Sequence, residues 1–271
     1  MKIGIVGGGA IARLVLQHIR GGALGDIQVV ALAGRSLGSR AKALAAEYGI
    51  PFVMGADALA AAGPQAVVEA ASHSAVREYG EALLRKGISF VALSGGVLAE
   101  DVLRDRLERA AVLHGALLYV PSGGVGGLDA LKAAALAGAE EVSITVAKPP
   151  QAWAGIPYVE KLGVDLARMA SLSVLFEGSA REGVPHFPAN VNIAAVLSMA
   201  GIGFDRTRLR VVADPALKFN THSVRIRGKT GQIEVRFESV PMPDNPRTSM
   251  LACYAALAAI REFGSSVRYG T

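Results

Sequence analysis

Cysteine is almost absent from this chain. Cys253 is the single cysteine, so an intramolecular disulfide is excluded. It lies in an apolar stretch, residues 251–260, where a small buried side chain is a simpler interpretation than a reactive thiol. Sparse cysteine is typical of reducing compartments, so the composition predicts a cytoplasmic protein.

Long apolar runs are also missing. No hydrophobic stretch reaches the roughly 20 residues that a membrane-spanning helix needs. The apolar start of the chain is interrupted by Gly7, Gly8 and Gly9, where a secretory signal would carry its hydrophobic region. The sequence therefore predicts a protein without a membrane partner.

Aromatic residues and blocks of basic residues are scarce. Aromatic side chains make up 6% of the chain, and its net charge of +5 comes from lysines and arginines that are scattered along it. Nucleic-acid binding needs a contiguous basic surface, so we expect no nucleic-acid partner. A mild positive excess suits small anionic ligands such as phosphates and carboxylates.

The N-terminus carries the most informative pattern that is present. A short apolar run, residues 3–6, predicts a buried strand, and apolar residues at helical spacing follow the three glycines. Gly7, Gly9 and Ala12 fit the turn of a dinucleotide-binding unit, in which a diphosphate lies at the positive end of the helix. A plain strand-to-helix turn is the alternative, but the flanking strand and helix favour the nucleotide. We assign the cofactor contacts in this turn to Gly7, Gly9, Ala10 and Ile11.

An acidic residue is missing after the second predicted strand, where NAD-specific sites usually have one. Residues 27–33 form that strand, and Gly34, Arg35 and Ser36 follow it. A carboxylate there would bind the ribose 2′-hydroxyl and repel a 2′-phosphate, whereas Arg35 and Ser36 can accept the phosphate. The alternative is a solvated turn with an ordinary arginine. The sequence predicts that both cofactors bind, NADP at least as well as NAD.

The order of the predicted elements indicates two domains. Strands alternate with helices up to residue 120, and a glycine-rich loop, residues 121–127, then leads into a half dominated by strands with a hairpin at 228–231. We predict an α/β protein with an N-terminal Rossmann dinucleotide-binding domain, residues 1–121, completed by a C-terminal helical segment, residues 245–271. Residues 122–244 are predicted to form a smaller α+β domain with a mixed or antiparallel sheet, for catalysis and dimerisation.

Several segments together resemble the L-aspartate dehydrogenase family. They extend over nearly the whole chain, and their order and combination are more specific than any one of them. Besides the glycine-rich start, they are Glu69-Ala70-Ala71-Ser72, Val120-Pro121-Ser122-Gly123-Gly124, Lys148-Pro149-Pro150, Phe187-Pro188-Ala189-Asn190-Val191-Asn192, Ala213-Asp214-Pro215, Asn220-Thr221-His222 and Asn245-Pro246-Arg247-Thr248-Ser249.

The resemblance implies a reaction and a set of residue roles. The reaction is NAD(P)-dependent oxidative deamination of L-aspartate through iminosuccinate, or its reverse, which can feed NAD biosynthesis. A homodimer through the sheet of the second domain is also implied. His222 matches the family's proposed catalytic histidine, and Asn190 and Gly124 match its cofactor contacts. The family usually has alanine at the position of Gly124 and an acid after the second strand, so this chain departs from it at both places.

Three residues of the second predicted domain carry the chemistry that we expect. Asn220 and His222 are two apart in a strand, so both side chains face the same side. His222 can exchange protons near neutral pH, whereas Asn220 can only orient a substrate. A histidine that merely packs or binds a carboxylate is the alternative. Lys148, before two prolines, is the candidate for binding a substrate carboxylate, and a solvated surface lysine is the alternative there.

The residues alone leave two other functions open. One is another two-domain NAD(P)-dependent reductase, of the dihydrodipicolinate or homoserine type, because a shared fold does not establish a shared substrate. The other is a dinucleotide-binding sensor without catalytic activity. The intact pair Asn220 and His222 argues against the sensor.

Overall fold

The computed structural model of the chain describes residues 1–187, 190–242, 245–267 and 269. Parts of three sequence predictions lie outside the described residues. They are Pro188 and Ala189 in one family segment, Asp244 at the predicted domain boundary, and Arg268, Gly270 and Thr271 at the end of the predicted C-terminal segment.

The described residues form thirteen strands. They are β1 (Lys2–Val6), β2 (Gln28–Ala33), β3 (Phe52–Val53), β4 (Ala66–Glu69), β5 (Ser89–Ala92), β6 (Leu118–Tyr119), β7 (Ala139–Lys148), β8 (Ser173–Ser179), β9 (Thr207–Ala213), β10 (Asn220–Gly228), β11 (Gly231–Ser239), β12 (Pro241–Met242) and β13 (Asn245–Ser249).

Helices connect most of these strands. They are α1 (Ala10–Arg20), α2 (Arg40–Tyr48), α3 (Ala56–Ala61), α4 (His73–Leu84), α5 (Asp101–Leu113), α6 (Leu128–Leu136), α7 (Pro157–Lys161), α8 (Ala180–Gly183), α9 (Asn192–Ala200) and α10 (Met250–Phe263), with 3₁₀ turns at Gly95–Ala99, Pro150–Trp153 and Val184–His186. Within the described ranges, no helix has the length and apolar character required to cross a bilayer.

The chain forms two compact units. Unit 1 comprises Met1–Pro121 together with Cys253–Tyr269, and unit 2 comprises Ser122–Ala252. Unit 1 contains a sheet with the strand order β3-β2-β1-β4-β5-β6, in which all neighbouring strands are parallel. This order confirms the predicted Rossmann fold.

The core of unit 1 explains why its strands are apolar throughout. Ile3 and Ile5 of β1 are fully buried in one cluster with Val15 of α1 and with Leu257 and Ile260 of α10. A parallel sheet covered on both faces needs such strands. The strand order reverses between β1 and β4, and the crevice at the carboxyl ends of the strands at that point is where open α/β sheets bind their ligands.

Unit 2 contains a mixed sheet with the order β11-β10-β7-β9-β8. β7 and β9 are parallel, and the other neighbours are antiparallel. The predicted hairpin is confirmed, because Gly228 pairs with Gly231 across a turn of two residues. Burial alternates along β9, so the sheet has one buried apolar face and one exposed charged face.

Some element boundaries differ from the sequence predictions. The helix expected from Pro188 begins at Asn192, and the strand expected at 171–176 is β8, at Ser173–Ser179. The short helix α8 was not predicted, although its capping box is visible in the sequence: Ser179 Oγ accepts from the Glu182 N–H, and the Glu182 carboxylate accepts from the Ser179 N–H at 2.9 Å.

Candidate functional site

The glycine turn after β1 is shaped by two close approaches of backbone. Gly7 has a φ of +115°, and a Cβ there would lie 2.5 Å from the Ala70 carbonyl oxygen. A Cβ on Gly8 would lie 2.2 Å from the Ala41 backbone nitrogen, at the start of α2. These positions therefore require glycine for the fold itself.

Gly9 differs, because a Cβ there would meet no atom within 4 Å. It is the N-cap residue of α1, at the positive end of that helix, and the space that a side chain at this position would fill is empty. The backbone N–H groups of Ala10 and Ile11, in the first turn, lack partners within the helix. This open cradle of N–H groups fits the diphosphate of a dinucleotide, as the sequence predicts for Gly7, Gly9, Ala10 and Ile11.

The turn after β2 places cations beside the same end of the sheet. Arg35 and Ser36 are exposed, and Arg40 is the first residue of α2. Within the described part of the chain, neither Arg35 nor Arg40 forms an ion pair with a carboxylate. Both guanidinium groups are therefore available to an anionic ligand at this turn.

A buried carboxylate follows β4. Glu69 is fully buried, and its Oε1 atom accepts hydrogen bonds from the Ala71 and Ser72 N–H groups, both at 2.8 Å. The Ser94 hydroxyl donates to the same oxygen at 2.9 Å, and the Ser94 N–H donates to Oε2 at 2.9 Å. Sequence reasoning counted Glu69 only as part of a family segment. The signal it could have used is an acid at the end of a buried strand.

The pairing of the strands brings the predicted catalytic residues of unit 2 close to one another. His222 of β10 lies opposite Val146 of β7, and Asn220 lies opposite Ser239 of β11. Because side chains two residues apart share a face, Lys148 points to the same side as Val146. Three polar side chains on neighbouring strands thus form a row across the buried face of the sheet: Ser239, Asn220 and Lys148. We call these three residues the polar row. His222 lies next to it, two residues along β10 from Asn220.

Lys148 is buried, which rules out the alternative of a solvated surface lysine. Its side chain is 3% exposed, and its Nζ atom donates to Asn190 Oδ1 at 3.0 Å. The same Nζ lies 5.1 Å from the centre of the Trp153 ring, which can stabilise a cation. Burial lowers the pKa of Lys148 to about 8, so the ammonium form still predominates at pH 7.

His222 is held in one tautomer. Its Nδ1–H donates to the Gly124 carbonyl oxygen at 3.3 Å, which leaves the lone pair on Nε2. Burial and, next, the positive charge of Lys148 lower the pKa of His222 to about 4, while the bond to Gly124 opposes the shift. The imidazole is therefore neutral at pH 7 and can accept a proton.

Gly124 and Asn190, the predicted cofactor contacts of unit 2, both touch this cluster. A Cβ on Gly124 would lie 3.0 Å from Ser249 Oγ and 3.6 Å from His222 Cε1, so the alanine usual in the family would fit only after a small shift of the Ser249 hydroxyl. Asn190 contacts the cluster through Lys148. The structure brings these five residues of unit 2 together: Gly124, Lys148, Asn190, Asn220 and His222.

Ser239 is a residue that the sequence did not single out. Its hydroxyl is buried and has no hydrogen-bond partner within the described part of the chain. A buried unpaired hydroxyl costs free energy unless a ligand or a water satisfies it. Only the pairing of β10 with β11 places Ser239 beside Asn220, and no local pattern predicts that register.

These features define a class of protein. A Rossmann unit with an open glycine cradle, joined to a mixed-sheet unit that buries a lysine beside a neutral histidine, is the architecture of a two-domain nicotinamide-dependent dehydrogenase. Residues 129–263 match the family described as aspartate dehydrogenase, C-terminal, and residues 7–121 match homoserine dehydrogenase, NAD binding domain.

Individual relatives extend over the full chain. The L-aspartate dehydrogenase of Methanosarcina acetivorans is 41% identical over 273 residues, which covers 100% of both chains. L-aspartate dehydrogenase 2 of Bordetella bronchiseptica is 39% identical and covers 96% of each chain. The crystal structure of aspartate dehydrogenase from Thermotoga maritima has a TM-score of 0.74 and 28% identity, covering 100% of this chain and 99% of that one. The chain belongs to the L-aspartate dehydrogenase family, and the resemblance seen in its sequence is confirmed.

Proposed function

We propose that this protein catalyses the NAD(P)-dependent oxidative deamination of L-aspartate to oxaloacetate and ammonia, through iminosuccinate, or the reverse reaction. Membership of the family supports the reaction, and one observation supports the site: the polar row holds a buried cation, Lys148, close to the buried imidazole of His222. Within the described residues, no carboxylate pairs with Lys148. A buried cation without such a partner is suited to an anionic substrate.

The polar row supplies the contacts that a dicarboxylate needs. Lys148 binds one carboxylate through its ammonium group, and Asn190, which accepts from that group, holds it in place. Asn220 and the unpaired hydroxyl of Ser239 offer hydrogen bonds one and two strands away. A substrate with two acidic groups can use both parts of the row, which favours aspartate over a monocarboxylic amino acid.

Each unit contains residues that we assign to the cofactor. Gly7, Gly9, Ala10 and Ile11 bind the diphosphate, Arg35 and Ser36 bind the 2′-phosphate of NADP, and Gly124 and Asn190 are the contacts in unit 2. When bound there, NAD(P) would supply the acceptor for the hydride that leaves Cα of aspartate. The protein's own residues then have to add water to the resulting imine and release ammonia.

His222 moves the protons of that hydrolysis. Its neutral imidazole takes a proton from the attacking water at Nε2, because Nδ1 is already protonated and bound to Gly124. The imidazolium then returns that proton to the leaving amine. As ammonia departs, Nε2 takes the remaining hydroxyl proton of the carbinolamine and passes it to the ammonia, so ammonium leaves and His222 ends neutral. Lys148 lies close enough to lower the pKa of His222, and it therefore also makes the imidazolium a stronger acid.

A substrate panel tests the proposed function. NAD(P)H formation is measured with L-aspartate, D-aspartate, L-glutamate, L-alanine and homoserine at equal concentrations. L-aspartate should give the highest kcat/KM. Turnover of homoserine without turnover of aspartate would indicate a reductase of the homoserine type, and turnover of none would indicate a sensor.

Arg35 tests the preference for NADP. Replacing Arg35 with alanine should raise the KM for NADP by roughly tenfold or more, because a charge-assisted contact to the 2′-phosphate is lost. The KM for NAD should stay within about twofold, since NAD lacks that phosphate. Lys2→Ala, another exposed cation of unit 1, is the matched control. Equal increases in KM for both cofactors would show that Arg35 does not bind the 2′-phosphate.

We further propose that the protein is a cytoplasmic homodimer. The exposed face of the unit 2 sheet carries alternating charges, such as the pair Arg225 and Glu234 at 3.3 Å, which suits a symmetric polar contact between two copies. Light scattering after size exclusion should give twice the chain mass of 28.0 kDa. A monomer at micromolar concentration would contradict the dimer.

A further inference from the structure

Glu69 is an ionisable side chain of unit 1 that the proposed reaction does not use. It is fully buried, yet all four of its hydrogen bonds come from uncharged donors: the N–H groups of Ala71, Ser72 and Ser94 and the Ser94 hydroxyl. No lysine, arginine or histidine of the described residues forms an ion pair with it. A buried acid without a counterion needs an explanation.

The hydrogen-bond pattern is that of an ionised carboxylate. Both oxygens accept, and together they accept four hydrogen bonds and donate none within the described residues, which matches the acceptor-only chemistry of an ionised carboxylate. Burial raises the pKa of Glu69, and the donors from Ala71, Ser94 and Ser72 oppose that shift. Three N–H donors and one hydroxyl are the arrangement that lets a carboxylate keep its charge inside a protein.

The position of Glu69 in the sheet relates this charge to one half of the cofactor. The strand order reverses between β1 and β4, so one mononucleotide half lies over β1 and β2 and the other over β4 and β5. Arg35 follows β2, so it lies at the half of the sheet where the adenosine would bind. Glu69 ends β4, and its partner Ser94 follows β5, so the carboxylate lies at the half of the sheet where the nicotinamide would bind.

The two redox forms of nicotinamide differ in charge, because the oxidised ring is cationic and the reduced ring is neutral. We propose that Glu69 acts as a fixed negative charge that makes this site prefer the oxidised cofactor over the reduced one. The inference rests on the proposed function only in that the chain binds a nicotinamide dinucleotide. Reduced cofactor formed during aspartate oxidation then leaves more readily.

The expected size follows from Coulomb's law. At an effective dielectric constant of about 20 and an assumed separation of roughly 8 to 12 Å, one charge changes the ratio of two dissociation constants by roughly tenfold to thirtyfold. The reduction potential of the bound cofactor shifts in proportion to the logarithm of that ratio, so oxidised cofactor becomes harder to reduce on the protein than in a site without the charge.

The test is a pair of binding titrations without aspartate. Dissociation constants for the reduced and the oxidised cofactor are measured by calorimetry in the wild-type protein and in Glu69→Gln. The preference for the oxidised form, expressed as the reduced-to-oxidised ratio of dissociation constants, should fall by roughly tenfold or more. If Glu69 serves only as a structural clamp, both constants rise by the same factor, the ratio is unchanged, and the proposal is overturned.

Three further variants separate charge from structure. Ser94→Ala removes one donor but keeps the carboxylate, so its ratio should stay within about twofold of wild type. Ala71→Lys, at an exposed position, adds a positive charge beside Glu69 without removing the acid, and it should lower the ratio relative to Ala71→Gln. The two Ala71 variants keep the test decisive if Glu69→Gln does not fold, because an unchanged ratio in Ala71→Lys would also overturn the proposal.

The titrations distinguish failure of this inference from failure of the proposed function. A wild-type protein that binds neither NAD(H) nor NADP(H) would contradict the proposed cofactor and the role of Glu69 together. A protein that binds both redox forms, with a ratio that does not respond to Glu69→Gln or Ala71→Lys, would leave the dehydrogenase intact and remove only the role of Glu69.

Discussion

His222→Ala should lower kcat for L-aspartate by roughly 10² to 10⁴ while leaving the dissociation constant for NAD(P)H unchanged. The reason is that the imidazole is buried, neutral and fixed in one tautomer by Gly124, so it is prepared to take a proton at Nε2. Loss of a binding contact alone would raise KM and spare kcat. Steady-state kinetics with saturating cofactor separate the two.

A second histidine of unit 2 offers the matched control. His186 is exposed and stacks on Tyr158 with ring centres 4.3 Å apart. His186→Ala should retain kcat within about twofold, because that ring lies on the surface and has no part in the polar row. Near-normal kcat in His222→Ala at saturating aspartate would remove His222 from the mechanism.

Lys148→Met should lower kcat/KM for L-aspartate by roughly thirtyfold or more, because truncating one partner of a buried charged contact commonly costs 2 to 5 kcal/mol. Methionine keeps most of the volume and the contact with Trp153. Lys161→Met, an exposed lysine at the end of α7, is the control and should change kcat/KM by less than about twofold. Unchanged kcat/KM in Lys148→Met would show that Lys148 does not bind the substrate.

The same variant should make the ligand-free protein more stable. The pKa of Lys148 is lowered from 10.5 to about 8 in the folded state, so folding favours the neutral amine. The cost of the buried charge is full below pH 8 and disappears as pH rises from about 8 to above 10. Methionine avoids it, and the free energy of unfolding at pH 7 should rise by up to roughly 3 kcal/mol in denaturant titrations.

The pH dependence of catalysis follows from the same shift. The ammonium of Lys148 is lost as pH rises through about 8, so kcat/KM for aspartate should fall on that alkaline side. Lys148→Arg keeps the charge to much higher pH, and its alkaline limb should move upward. An alkaline limb at the same pH in both proteins would assign it to another group.

Much of the fold was predictable from the sequence because its signals are local. The strand, glycine and helix pattern at residues 3–19 predicts the first βα unit, and Gly228 and Gly231 predict the hairpin. The apolar helix at Met250–Phe263 has the predicted bounds. The start of α9 at Asn192 was not predictable from residue pattern alone, because proline at 188 is equally acceptable as the first helical residue.

The candidate site was predictable only in part, because its remaining features depend on long-range pairing. Asn220 and His222 are two residues apart, so their common face follows from the sequence. Ser239 joins them through the register of β10 with β11, and the Glu69 carboxylate finds Ser94 across 25 residues. The burial of Lys148 depends on Trp153 and on Asn190, which is 42 residues away, and a lysine at a strand end gives no local sign of it.

The three glycines of the turn after β1 are under two different evolutionary constraints. Gly7 and Gly8 face neighbouring backbone at distances that admit no side chain, so mutations there should be purged even in a relative that no longer binds a nucleotide. Gly9 has a φ of −87°, which any residue can adopt, and its surroundings are open. Drift to alanine at position 9 alone would therefore mark a lineage that keeps the scaffold after abandoning its cofactor.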